Sequence, residues 1–205
     1  MNYQKLKEAE AGFLQRYPDG FSDPAMATIK KKHNIEKLSD FARENLSRAK
    51  FNRPEHIAET LVKIVSRSSM VSMFEKPKFR DFVKALNSQE KQALADAVEK
   101  RLYGRQKQRG FEELLGMLAH HKIAKWSVIS VVPFYFAPAK EAFVKPTTAK
   151  GILAYLEIED LVYKPTPSWT FYQGYLKLLK DIERHVAPSL SPNYAALTGF
   201  MMVSI

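Results

Sequence analysis

Apolar residues recur three and four positions apart through the first 120 residues, the spacing of helices that bury one face. Leu6, Ala9, Phe13 and Tyr17 predict a helix from Tyr3 to Tyr17, stopped by Pro18-Asp19-Gly20. Asp23-Pro24 sets an N-cap residue before a proline at the first helical position and predicts a short helix running toward Lys32. Ile35, Leu38, Phe41, Ala42 and Leu46 keep the same spacing as far as Ser47. Pro54 opens a helix with Ile57, Leu61, Ile64 and Val65 inward, and Pro77 opens another with Phe79, Phe82, Val83 and Leu86. Ser88 is placed to cap a helix carrying Leu94, Val98 and Leu102 that Gly104 ends, and Phe111, Leu114, Leu115 and Leu118 make one more.

The texture changes at Ile123. Trp126–Val132 is rich in β-branched residues and shows no clean period, so helix and buried strand are both open there. Phe134-Tyr135-Phe136 and Ala142-Phe143-Val144 flank Pro138-Ala139-Lys140-Glu141, a pattern that reads as a hairpin, with Leu161-Val162-Tyr163 as a third short strand. Thr147 or Thr148 is placed to cap a short helix to Leu156, Ser168 begins a helix with Trp169, Tyr172, Leu176, Leu179 and Ile182 on its face, and Ser191-Pro192 begins a last apolar one. The expected fold is mainly α: a multi-helix single domain over residues 1–205 with a small β-hairpin or three-strand element in the C-terminal half. A subdivision into 1–122 and 123–205 stays open, although no Gly- or Ser-rich linker separates the halves.

Composition narrows the class. At 205 residues and 45% hydrophobic the chain can bury a sizeable core. Cysteine is absent, which excludes disulfides, thiolate metal sites and thiol catalysis. The first residues, MNYQKLKEAEAGF, hold two Glu and no apolar run, unlike a secretory signal or an acid-poor transit peptide. The most apolar stretches, Ser127–Ala137 and Tyr194–Ile205, fall short of the ~18–20 residues of a membrane helix. A soluble cytoplasmic protein with no membrane partner is expected.

Charge adds a direction. The net charge of +10 lies between Lys30 and Trp126, which hold 22 basic and 12 acidic residues, whereas residues 127–205 hold seven and six. A basic block between near-neutral flanks points to an anionic partner. Its densest run, KRLYGRQKQRGF, carries Lys100, Arg101, Arg105, Lys107 and Arg109 with no acid between Glu99 and Glu112. The dipole of the preceding helix accounts for Lys100 and Arg101, which leaves three cations in what reads as a solvated loop whose glycines, 104 and 110, free the backbone. Lys76, Arg80 and Lys84 form an i,i+4 stripe on the helix at Pro77, about 100° from its apolar face, and Lys30-Lys31-Lys32-His33 ends another helix. Val144-Lys145-Pro146-Thr147 and Tyr163-Lys164-Pro165-Thr166 repeat one pattern, in which proline holds the lysine extended before a helix start that suits phosphate or carboxylate.

Motifs of catalysis are missing. Neither GxxxxGK[ST] nor GxGxxG occurs, and no HExxH. No Asp or Glu has Lys two residues later, which removes the common metal-nuclease dyad. His120 and His121 are adjacent and would point ~100° apart on a helix, so they do not chelate one ion. Ser47-Arg48-Ala49-Lys50 matches S-x-x-K without its companion motifs. Ser66-Arg67-Ser68-Ser69 reads as a polar bend able to hold an anion. No cofactor is implied, and no zinc finger or sheet-type RNA motif is present.

The order of FLQRYPDGF, SRSSMVSMFEKPKFRDF, AKWSVISVVPFYFAPAKEAFVKPTT, YKPTPSWTFYQGY and NYAALTGFMM resembles a group of similarly sized bacterial proteins over most of the chain. The resemblance implies a bacterial cytoplasmic setting and carries over no activity and no site residue. The expectation is therefore an accessory binding protein whose cations meet a polyanion, most plausibly nucleic acid, with Arg80, Lys84, Arg105, Lys107, Arg109, Lys145 and Lys164 as the candidate contacts. The rival expectation is a protein-interaction or dimerisation module using the C-terminal aromatic and apolar residues, with Phe171 and Tyr175 beside the Trp169/Tyr172 face. A third is an enzyme of unfamiliar type around Ser66–Ser69 or the two Lys-Pro-Thr corners.

Overall fold

The computed structural model describes all 205 residues as eleven α-helices joined by loops and single 3₁₀ turns, with no strand. The helices are α1 (Tyr3–Arg16), α2 (Ala27–His33), α3 (Ile35–Asn45), α4 (Pro54–Arg67), α5 (Glu75–Ala85), α6 (Ser88–Tyr103), α7 (Lys107–His120), α8 (Trp126–Phe136), α9 (Pro146–Tyr155), α10 (Trp169–His185) and α11 (Tyr194–Ser204). Start signals in the sequence account for many of them. Asp23 Oδ1 accepts the Ala25 amide at 2.9 Å in the 3₁₀ turn that leads into α2, and Pro54 is the first residue of α4. Ser168 Oγ accepts the Phe171 amide at 3.3 Å and starts α10. The cap of α6 is Asn87 rather than Ser88, in a reciprocal box with Glu90. The last helix is capped by Asn193, whose Oδ1 accepts the amides of Ala195 and Ala196.

The β element expected over residues 134–163 does not exist. Phe134-Tyr135-Phe136 is the last turn of α8, Ala142–Val144 has no regular structure and pairs with no other segment, and Leu161–Tyr163 lies in the loop before α10. Two physical causes explain the misreading. Ten of the eleven residues of α8 are buried, so the helix is apolar all round and shows no amphipathic period, while Val128, Ile129, Val131 and Val132 give it the composition of a strand. The Ala142–Val144 segment satisfies its backbone through side chains instead of a ladder. Ala142 N–H donates to Tyr172 Oη at 3.1 Å, and Val144 N–H to Ser130 Oγ at 2.9 Å.

Helix α8 is the axis of the fold and packs against α3, α4, α6 and α7. Helix α11 gathers α1, α9 and α10 at the other end. One connected cluster of buried apolar side chains runs from Leu6 to Met201 through both groups. Trp126 Nε1 donates to the Lys164 carbonyl at 2.8 Å and ties the loop before α10 to the start of α8.

Candidate anion-binding surface

The run KRLYGRQKQRGF is not a loop. Tyr103 ends α6, Gly104–Gln106 makes the turn, and Lys107 begins α7. Lys107 and Arg109 therefore occupy the first turn of a helix, where the dipole disfavours cations. Carboxylates offset this: Lys107 Nζ lies 3.2 Å from Glu141 Oε1, and Arg109 Nε 2.8 Å from Glu113 Oε1. Lys100 Nζ joins the same Glu113 at 2.8 Å, and the three contacts to Glu113 hold its pKa below the usual carboxylate value. Gly110 is not a hinge for a phosphate chain. A Cβ there would lie 2.5 Å from Arg101 N and 2.7 Å from Ala97 O, so its role is to let α6 and α7 approach closely. Of the seven sequence candidates, Arg80 also has a carboxylate neighbour, Asp81 at 3.2 Å, whereas Lys84, Arg105, Lys145 and Lys164 are exposed and form no ion pair.

Arg101 has left the surface altogether. It is 1% exposed, and its guanidinium takes Glu141 in a two-pronged contact, Nη1–Oε1 3.1 Å and Nη2–Oε2 2.6 Å. Tyr172 Oη donates to Glu141 Oε2 at 2.8 Å, and the guanidinium sits 5.4 and 5.1 Å from the Trp169 and Tyr172 ring centres. Burial by itself would raise the Glu141 pKa, but the Arg101 hydrogen bonds and charge, with Lys107 and Tyr172, outweigh it and hold the group ionised. Burial and the Glu141 charge push the Tyr172 phenol well above its ordinary value, so it stays a donor. This knot joins α6, α7, the 137–145 loop and α10 in the interior, where no polymer can reach it.

The open cations meet elsewhere, in an arrangement the sequence did not signal. Lys30, Lys31, Lys32 and His33 end α2, and His33 Nδ1 lies 2.9 Å from Ser69 Oγ just beyond the end of α4. Burial lowers the His33 pKa, and the charges of Lys32 and Lys145 lower it further. Lys145 is the N-cap of α9, and its charge reaches His33 from a third segment of the chain. Arg67, two residues before Ser69, stacks on Phe41 at 4.9 Å. None of Lys30, Lys31, Lys32, Arg67 or Lys145 makes an ion pair, and all are exposed. A hydroxyl and an imidazole in contact beside a run of lysines have the chemistry of an anion site. A serine nucleophile needs its base oriented by a third group, and no carboxylate hydrogen-bonds the His33 ring.

The two Lys-Pro-Thr corners differ. Lys145 stands at the start of α9, which takes no side-chain cap from Thr147 or Thr148. Lys164 stands in a loop, because α10 begins beyond it with Ser168 as its cap. The aromatics beside Trp169 pack in the core, with Phe171, Tyr172 and Tyr175 all buried, which removes the exposed strip that the rival reading would use. Ser68, next to Ser69, is also interior and meets Tyr135 Oη at 3.2 Å. No group of three or more His, Asp or Glu is arranged to hold a metal ion, and no helix is long and apolar enough to cross a membrane. No protein-family model, no curated protein and no solved structure matches this chain.

Proposed function

We propose that the protein binds a polyanion, nucleic acid above all, through phosphate contacts that do not read sequence, and that the ends of α2 and α4 and the start of α9 form the binding wall. The observation that supports this reading is the 2.9 Å contact of His33 with Ser69, which joins the basic end of α2 to the end of α4 with no carboxylate on either side chain, while the charges of Lys32 and Lys145 both act on His33. Like charges that face one another with no counterion in the fold raise its energy, and a bound phosphate removes that cost. Lys30 and Lys31 lie in the same last turn of α2 as Lys32, and Arg67 lies two residues before Ser69; all three are exposed and make no ion pair. Lys84, Arg105 and Lys164 are free cations available to a long ligand, while Arg80, Lys107 and Arg109 are already engaged.

The test is fluorescence anisotropy of labelled duplex and single-stranded DNA across a salt series. Affinity should fall with a slope of roughly 0.9 (duplex) or 0.7 (single strand) log units per log of salt for each phosphate neutralised. Reversing Lys30, Lys31 and Lys32 to Glu together should abolish binding while lowering the thermal midpoint only modestly, through the dipole at the end of α2, and Arg105→Glu alone should weaken binding several-fold. Binding that survives the triple reversal, or no binding even at low salt, overturns the proposal.

A further inference from the structure

We infer that the open groove between α9 and α11 is a binding site for a single-chain amphiphile, an alkyl carboxylate or alkyl phosphate, with its anionic head at Lys145 and its tail along the groove. The inference shares Lys145 with the polyanion wall but does not rest on that reading, since its other residues lie outside the wall. The groove measures about 560 Å³ and is lined by Gly151, Ala154 and Tyr155 from α9 and Met202 and Ile205 from α11. That is the size of a small-molecule site. Met202 and Ile205 are 46% and 44% exposed, large apolar side chains left in water along one channel.

Polarity is confined to one end. Lys145 Nζ lies 3.9 Å from Met202 Sδ, at the rim, and forms no ion pair. Helix α9 starts there without a side-chain cap and with Pro146 as its first residue, so the Thr147 and Thr148 amides are orphan donors. Thr148 is 7% exposed, lines the groove, and its hydroxyl makes no hydrogen bond. Its oxygen stays accessible, and an anionic head beside Lys145 would accept from it and from the free amides. Further along, the one polar atom of the walls is already used, since Tyr155 Oη donates to the Lys5 carbonyl at 3.2 Å. A peptide would find no backbone partner in this channel, whereas a hydrocarbon needs none.

Calorimetric titration of the full chain with sodium dodecanoate and with dodecyl phosphate, below their micelle concentrations, tests the site. Both should bind, with dodecanol and acetate at least tenfold weaker. Ala154→Trp, which fills the channel from an exposed position, and Lys145→Glu should each weaken dodecanoate at least tenfold. Thr148→Val, nearly isosteric, should weaken it several-fold and serves where the tryptophan variant misfolds. The Lys30, Lys31 and Lys32 reversals should leave dodecanoate binding intact, and Ala154→Trp should leave DNA binding intact, so either reading can fail alone. Co-sedimentation with phosphatidylserine vesicles checks the commitment to a free single-chain amphiphile: no pelleting through the groove is expected, and pelleting that Ala154→Trp removes would mark a two-chain bilayer lipid and overturn it. No dodecanoate binding by the natural chain, equal binding by Ala154→Trp, or light scattering showing a dimer that Ala154→Trp converts to monomer overturns the inference.

Discussion

Arg101 and Lys145 are both cations, yet they belong to opposite kinds of region. Arg101 lies in the interior, held by both oxygens of Glu141 and by two aromatic faces. Lys145 lies on the surface among other positive groups, with a thioether as its nearest named contact. The first region spends its charge on holding four segments together, and the second leaves it unneutralised. A net charge of +10 does not distinguish the two, because the distinction is made by which carboxylates the fold brings near. Glu141 is the decisive case: forty residues from Arg101 in sequence, it consumes two members of the densest basic run.

The largest effect expected is on that knot. Glu141→Ala leaves Arg101 buried and unpaired and should cost about 3–5 kcal/mol in urea unfolding. The sign of its pH dependence follows from the lowered folded pKa of Glu141. The unfolded state binds its proton more readily, so the contribution is complete above the unfolded value, near pH 4.5, and is lost as the pH falls through the folded value. Stability of the natural chain should therefore drop below pH 4.5, and Glu141→Gln should flatten that part of the profile. A flat profile in the natural chain, or an Ala variant of near-native stability, would place Arg101 in the same open class as Lys145.

A smaller loss is expected from Gly110→Ala. The added methyl would press on the backbone at Arg101 and Ala97 rather than on a flexible side chain, forcing α6 and α7 apart at about 1–3 kcal/mol, measurable as a lowered thermal midpoint. A neutral outcome would mean that the glycine serves the run's mobility, as its sequence context suggested, and not the packing that positions Arg101 against Glu141.

Several helix boundaries were legible because their determinants are local: Pro54 at a first helical position, Asp23 and Ser168 as caps, and the 3–4 spacing of α1, α3 and α4 each need a few adjacent residues. Helix α8 was not, because burial on every side erases the periodicity on which such reading depends. Apolar triplets at either end of Pro138-Ala139-Lys140-Glu141 imitate a hairpin, and the hydroxyls that replace its ladder, Ser130 and Tyr172, come from two other helices. The candidate site failed to show for the same reason. Lys145 was visible as a corner and Ser66–Ser69 as a polar bend, but their meeting at His33 is a tertiary fact, and the sequence gives each segment no knowledge of the others. The dipole at the end of α2 is by itself a sufficient reason for lysines 30–32, and so conceals any second one.

The smallest effect sharpens the contrast most. Arg109 is paired with Glu113 one helical turn on, at 2.8 Å, but its side chain is 65% exposed. Exposed i,i+4 pairs contribute about 0.3–0.5 kcal/mol, so Arg109→Ala should shift stability by no more than that, and a double-mutant cycle with Glu113→Ala should return a coupling of the same size. Lys100 complicates the cycle, since it holds Glu113 from α6 and will keep doing so after Arg109 is gone. A coupling well above 1 kcal/mol would mean that the carboxylate binds both cations as tightly as Glu141 binds Arg101, and the whole 100–113 segment would then be structural. A coupling near the expected value leaves Arg109 weakly held, able to exchange Glu113 for a phosphate of the proposed polyanion at little cost.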